Sequence, residues 1–160
     1  MNTAMFVGSF DPFTLGHLDI VQSSAKIFDK LIIAIAHNAQ KTGFLPIDKR
    51  IELIQKSTHE FNNVEVVTFE GLTAQFAKEH NIKILVRGIR NSKDLEYENQ
   101  IASANQALNP ELATIFIPTK AEHNHISSSI VKEIYLNNGD ITDFVPYPVQ
   151  KYLESIYNAS

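Results

Sequence analysis

At 160 residues, 44% of them apolar, the chain has the material for one domain with a substantial core. With 14 Lys and Arg against 18 Asp and Glu, the net charge of −4 excludes a general attraction to nucleic-acid backbones or anionic membranes, so any bound anion must be held locally. The absence of cysteine excludes disulfides, thiolate zinc sites and cysteine nucleophiles.

In chain order, the first β-rich run covers 4–7, and Gly8, Ser9 and Asp11 interrupt it too early for a secretory signal. A glycine-bearing turn follows, then apolar residues at helical spacing: Leu18, Val21, Ala25 and Phe28. The second strand is expected at 31–36, which as the longest apolar run is far short of the roughly 20 residues a bilayer needs. These features predict a cytoplasmic protein. A polar loop over 37–43 carries Lys41 and leads to a helix marked by Ile47, Ile51, Ile54 and Phe61. Strands are expected at 64–69, 82–86 and 113–117, with Thr73 opening a helix after the third and a stripe of Tyr97, Ile101, Ala104 and Leu108 after the fourth. Two further helices close the chain, one over about 127–136 and one carrying Val149, Leu153 and Ile156.

Strand and helix alternating five times predict a doubly wound α/β domain: a parallel five-stranded sheet with helices on both faces and ligands at the strands' carboxyl ends. No linker, low-complexity tract or repeat divides the chain, so 1–160 is expected to be a single domain.

Three segments fall where that fold opens its crevice. The turn Gly8-Ser9-Phe10-Asp11-Pro12-Phe13-Thr14-Leu15-Gly16-His17 enters the first helix, with Thr14 placed to cap it and His17 in the first turn, where free amides favour an anion. An ordinary capped turn with a packed histidine has the same look. Ile126-Ser127-Ser128-Ser129-Ile130 sets three hydroxyls at a helix start, where they can cap, donate to phosphate, or both. Arg87-Gly88-Ile89-Arg90 closes the fourth strand, with Gly88 expected to let the chain turn and two guanidiniums suited to bidentate phosphate contact. The alternative for these arginines is pairing with Asp94 or Glu98. The histidines show no metal-ligand spacing, and His123-Asn124-His125 reads as a polar loop beside the serine turn.

Thr14-Leu15-Gly16-His17 and Ile126-Ser127-Ser128-Ser129 together resemble the signatures of the nucleotidyltransferase superfamily. Gly8-Ser9-Phe10-Asp11-Pro12, Leu85-Val86-Arg87-Gly88-Ile89-Arg90, Asp94-Leu95-Glu96-Tyr97-Glu98 and Ser129-Ile130-Val131-Lys132-Glu133 are similar to the bacterial phosphopantetheine adenylyltransferases, over essentially the whole chain. Ser9 stands where many members have Thr, and Thr14 where the wider superfamily often has His; both keep a hydroxyl in the turn.

The resemblance implies a Rossmann-like fold and reversible transfer of AMP from ATP to 4′-phosphopantetheine, giving dephospho-coenzyme A and pyrophosphate. It implies His17, Lys41 and Ser9 as the catalytic set. Ser9, Lys41, Arg87 and, more distantly, Thr73 would bind the acceptor. ATP would lie against Ser9, Phe10, His17, Gly88, Ile89, Arg90 and Glu98, and against His123, Asn124, His125, Ile126, Ser127, Ser128 and Ser129. A magnesium ion would accompany the triphosphate, the metal held mainly by phosphate and water, and the assembly would be a homohexamer. The competing readings are transfer to nicotinamide mononucleotide or glycerol phosphate, a catalytically silent nucleotide-binding module, and, last, a nucleic-acid-binding role, for which no basic tract is present.

Overall fold

Near-continuous apolar strands need cover on both faces, and the central strands of this sheet receive it. In the computed structural model, which describes residues 1–159, β1 (Thr3–Gly8), β2 (Lys30–Ala36), β3 (Val64–Phe69), β4 (Ile84–Ile89) and β5 (Ala113–Pro118) pair in parallel in the order β3-β2-β1-β4-β5. The helices are α1 (Leu15–Ile27), α2 (Ile47–Ser57), α3 (Thr73–Glu79), α4 (Ser92–Leu108), α5 (Ser128–Leu136) and α6 (Tyr147–Ala159).

Alternation along β1 divides the core. Ala4 and Phe6 point into the larger cluster with Ile20, Val21, Ile54, Val131 and Leu153, so α1, α2, α5 and α6 cover that face. Met5 and Val7 join Ala74, Ala77 and Leu112 on the other, which α3 and α4 cover. The doubly wound expectation holds, with helices on both faces.

Two expectations need correction. The apolar run predicts a fourth strand ending at 86, with Gly88 as a turn. It continues to Ile89, because Arg87, Gly88 and Ile89 still pair with Phe116, Ile117 and Pro118 of β5. Gly88 serves close packing instead: a Cβ there would lie 2.9 Å from Ile20 Cγ1 on α1. The second concerns the α4 stripe. The helix forms, but Tyr97 and Leu108 are 63% and 58% exposed, and Glu98 is its buried residue. Tyr97 and Leu108 face solvent in the isolated chain, while Ile101 between them is half-buried.

No described helix is long and apolar enough to cross a membrane.

Candidate functional site

β1 and β4 are sheet neighbours but not consecutive in the chain: from β1 the chain winds outward through β2 and β3, then returns to β4 on the other side. At such a switch point the connections diverge and leave a crevice at the strands' carboxyl ends. A cleft of about 270 Å³ lies there, lined by the turn after β1, the end of β4, the first turns of α4 and the entrance to α5.

Thr14 caps α1: its hydroxyl accepts from His17 N–H at 3.3 Å, while Thr14 N–H donates to His17 Nδ1 at 3.0 Å, closing a capping box. Nδ1 is thereby an acceptor, so the proton of the neutral ring sits on Nε2. The ring stacks on Phe13 at 5.5 Å and meets the edge of Phe10 at 5.0 Å. Burial among these rings, then the charges of Arg87 and Arg90, lower its pKa from 6.5 to about 3. His17 is therefore an uncharged donor at neutral pH.

Both arginines are paired with carboxylates. Arg87 Nε and Nη2 donate to Glu98 at 2.8 and 2.7 Å, and its Nη1 donates to the Val7 carbonyl. Of its five N–H groups, three are used and two remain. Arg90 donates to Asp94 from Nε at 2.9 Å and to the Ile126 carbonyl at 3.3 Å, which braces the serine turn. Ser127 is the cap of α5, accepting from Ile130 N–H at 3.2 Å. Ser128 donates to the Pro12 carbonyl at 2.8 Å, joining the two turns.

Of the residues expected from sequence, Ser9, Phe10, His17, Arg87, Gly88, Arg90, Glu98, Ile126, Ser127 and Ser128 line this one cleft. Lys41, Thr73, Ile89, His123, Asn124, His125 and Ser129 are not among its lining. Lys41 is exposed in the loop after β2, its N–H donating to Asn38. Thr73 opens α3 at the end of β3. His123 Nδ1–H donates to the buried Asp19 at 2.7 Å, and His125 meets the edge of Phe144. Asn124 accepts from Thr119 at 2.9 Å, and Ser129 is exposed.

Asp11, Asp19, Arg50 and Thr119 were not singled out from sequence. Arg50 carried a signal: it lies between Ile47 and Ile54 on the apolar face of α2, where a charge needs a partner. Asp19, whose partner lies 104 positions away, carried none. Among the described residues no group of three His, Asp or Glu side chains is placed to hold a metal ion.

The cytidylyltransferase-like family model matches residues 5–134. A phosphopantetheine adenylyltransferase of Psychromonas ingrahamii is 44% identical over 153 residues, covering 96% of this chain and 95% of that relative. One of Cytophaga hutchinsonii is 49% identical over 146 residues, covering 91% and 97% respectively. A solved structure from Vibrio parahaemolyticus, with a provisional nicotinate-nucleotide adenylyltransferase assignment, superposes with a TM-score of 0.72 over 96% of this chain and 99% of that one; at 17% identity the likeness is one of fold. With the turns that carry His17 and Ser127 in one cleft and relatives of this identity along its length, the chain belongs to the cytidylyltransferase-like family, among the phosphopantetheine adenylyltransferases.

Proposed function

We propose that this chain reversibly transfers the adenylyl group of ATP to 4′-phosphopantetheine, forming dephospho-coenzyme A and releasing pyrophosphate. The observation that carries the reading is His17, an uncharged Nε2–H donor fixed beside two arginines in the cleft and, with a pKa of about 3, too weak a base to activate a hydroxyl. Such a site suits a reaction in which one substrate is already the nucleophile.

The acceptor phosphate is ionised at neutral pH, so no proton has to be removed. One of its oxygens attacks the α-phosphorus of ATP in line, the new P–O bond forms, and the bond to the bridging oxygen breaks as pyrophosphate leaves. The enzyme's share is positioning and charge stabilisation. His17 Nε2–H donates to an α-phosphate oxygen as charge builds there. Ser9 and Lys41 hold the two reacting phosphates, Lys41 reaching in from its loop. The two unused N–H groups of Arg87 face the acceptor phosphate, and Thr73 stands by its pantetheine arm. ATP rests on Phe10, on Gly88 to Arg90 with Glu98, and on the 123–129 segment, whose Ser128 and Ser129 serve the β- and γ-phosphates.

The carboxylates lining the cleft, Asp94 and Glu98, are both engaged by arginine. That donor set fits a magnesium ion brought in with the triphosphate and held mainly by phosphate and water. Tyr97 and Leu108, exposed on one face of α4, support burial between copies in a homohexamer. A soluble biosynthetic step of this kind belongs to the cytoplasm.

The test is pyrophosphate release from magnesium-ATP with 4′-phosphopantetheine, nicotinamide mononucleotide or glycerol phosphate, with products identified by mass. Release with phosphopantetheine alone, accompanied by the mass of dephospho-coenzyme A, is the expected result. Release with another acceptor overturns the substrate, and release with none overturns the activity.

A further inference from the structure

Lys41 and Ser9 come from different crossovers of the sheet, and both are needed at one pair of phosphates if the proposed transfer is right. What joins their segments is a buried ion pair. Asp11, two residues after Ser9, is 8% exposed; Arg50, on α2, is 7% exposed. The Asp11 carboxylate accepts from Phe44 N–H on Oδ2 and from Leu45 N–H on Oδ1, each at 2.7 Å. Arg50 donates through Nε to the Leu45 carbonyl at 3.1 Å and through Nη1 to the Ser9 carbonyl at 3.0 Å, with its Nε 3.9 Å from Asp11 Oδ1. Leu45 is thus held from both sides of its peptide backbone, and the Ser9 turn is fastened to the same two side chains.

Gly43 makes the fit close. A Cβ at that position would lie 2.7 Å from Asp11 Oδ2 and 3.1 Å from Arg50 Nη2. The polypeptide two residues beyond Lys41 therefore runs against the ion pair with no space for a side chain. On the other side of Lys41, Ala39 N–H donates to Glu70 at 2.9 Å, an exposed and weaker tie.

We propose that Asp11 and Arg50 are positioning residues for the transfer, pinning the 43–45 segment to the Ser9 turn so that Lys41 and Ser9 act from one frame. Neither touches the reacting atoms. A buried pair whose carboxylate is held by two amides and whose guanidinium is held by two carbonyls is costly to disturb from one side, which gives the segment a single position. This rests on the transfer reading, and misplacement by about 1 Å is enough to cost about a hundredfold in rate.

The experiment is a double-mutant cycle on the full chain, with Asp11→Asn and Lys41→Ala singly and together, kcat and KM measured with magnesium-ATP and phosphopantetheine. The carboxamide offers one acceptor where the carboxylate offers two, so one of the two amides loses its partner. Asp11→Asn is expected to lower kcat about tenfold or more in the parent and by less than about twofold where Lys41 is already absent. Equal factors in both backgrounds overturn the proposal, as does a lowered Tm with kcat kept. Gly43→Ala, which crowds the carboxylate without removing it, serves if Asp11→Asn fails to fold, and the same pattern is expected. Amide hydrogen exchange at Phe44 and Leu45 is read in parallel and is expected to quicken in either variant. Unchanged exchange overturns the anchor whatever the chemistry is, and a parent chain that transfers to no acceptor sinks the transfer reading while the exchange result still decides the anchor.

Discussion

Arg87 and Glu98 meet edge to edge, through two parallel N–H to oxygen bonds of 2.8 and 2.7 Å, and this pairing decides how Arg87 presents itself to the cleft. A guanidinium held along one edge has its plane fixed, and the remaining N–H groups point in defined directions. Glu98→Gln removes the charge and half of the bidentate match. The expected result is a KM for the acceptor raised about threefold to tenfold, with kcat within about threefold, as for loss of binding shared by ground and transition states. Steady-state kinetics with varied acceptor checks it; unchanged constants would show that the orientation of Arg87 is set elsewhere.

For His17, a bond that strengthens as charge develops acts on rate more than on affinity. His17→Ala is expected to lower kcat by about a hundredfold to a thousandfold, the range for loss of one well-placed donor. ATP affinity, measured by titration calorimetry, should stay within a few fold. Parallel losses in both would remove His17 from its role.

The same histidine makes an acid prediction. Its folded pKa of about 3 lies below the unfolded value of 6.5, so between these pH values the unfolded chain binds a proton that the folded chain refuses. Its contribution to stability is complete above about pH 6.5 and is lost as pH falls toward 3. His17→Asn should flatten the stability profile across that window, followed by urea unfolding at pH 7.5 and 5. By NMR, the His17 ring resonances should stay put from pH 8 to 5. A midpoint near 6.5 for His17 would contradict its burial.

What could be read from sequence follows from the range over which each cause acts. Helix caps are local, so Thr14 is legible as a cap and one of the three serines at 127–129 as another; the structure has Thr14 and makes Ser127 the second. The pairing of Arg90 with Asp94 spans four positions and was open to sequence as an alternative. Apolar runs located all five strands, but the hidden end of β4 at Arg87, Gly88 and Ile89 is held by backbone pairing that a hydropathy pattern does not register. For His123 the residues alone predict a polar loop, and the ATP contact comes from family resemblance; its bond to Asp19 arises only once α1 and the segment after β5 have met. The anchor of Asp11 on Phe44 and Leu45 spans more than 30 positions and has no local signature beyond an arginine on an apolar stripe. Composition and periodicity reveal the frame; the partners of buried charges are settled by topology.

The bond from Ser128 to the Pro12 carbonyl closes the cleft between positions 116 apart in the chain. Contacts of such separation form only after most loop-closure entropy has been met by the intervening elements. The His17 turn, β1 and α1 are all made early in synthesis, yet the pocket they border has no far wall until α5 docks. A chain folded only through β4 would hold its arginines and its histidine in a sheet without enclosing a nucleotide. Catalytic competence thus requires α5 docked against the turn after β1, and recovered turnover on refolding reports that docking.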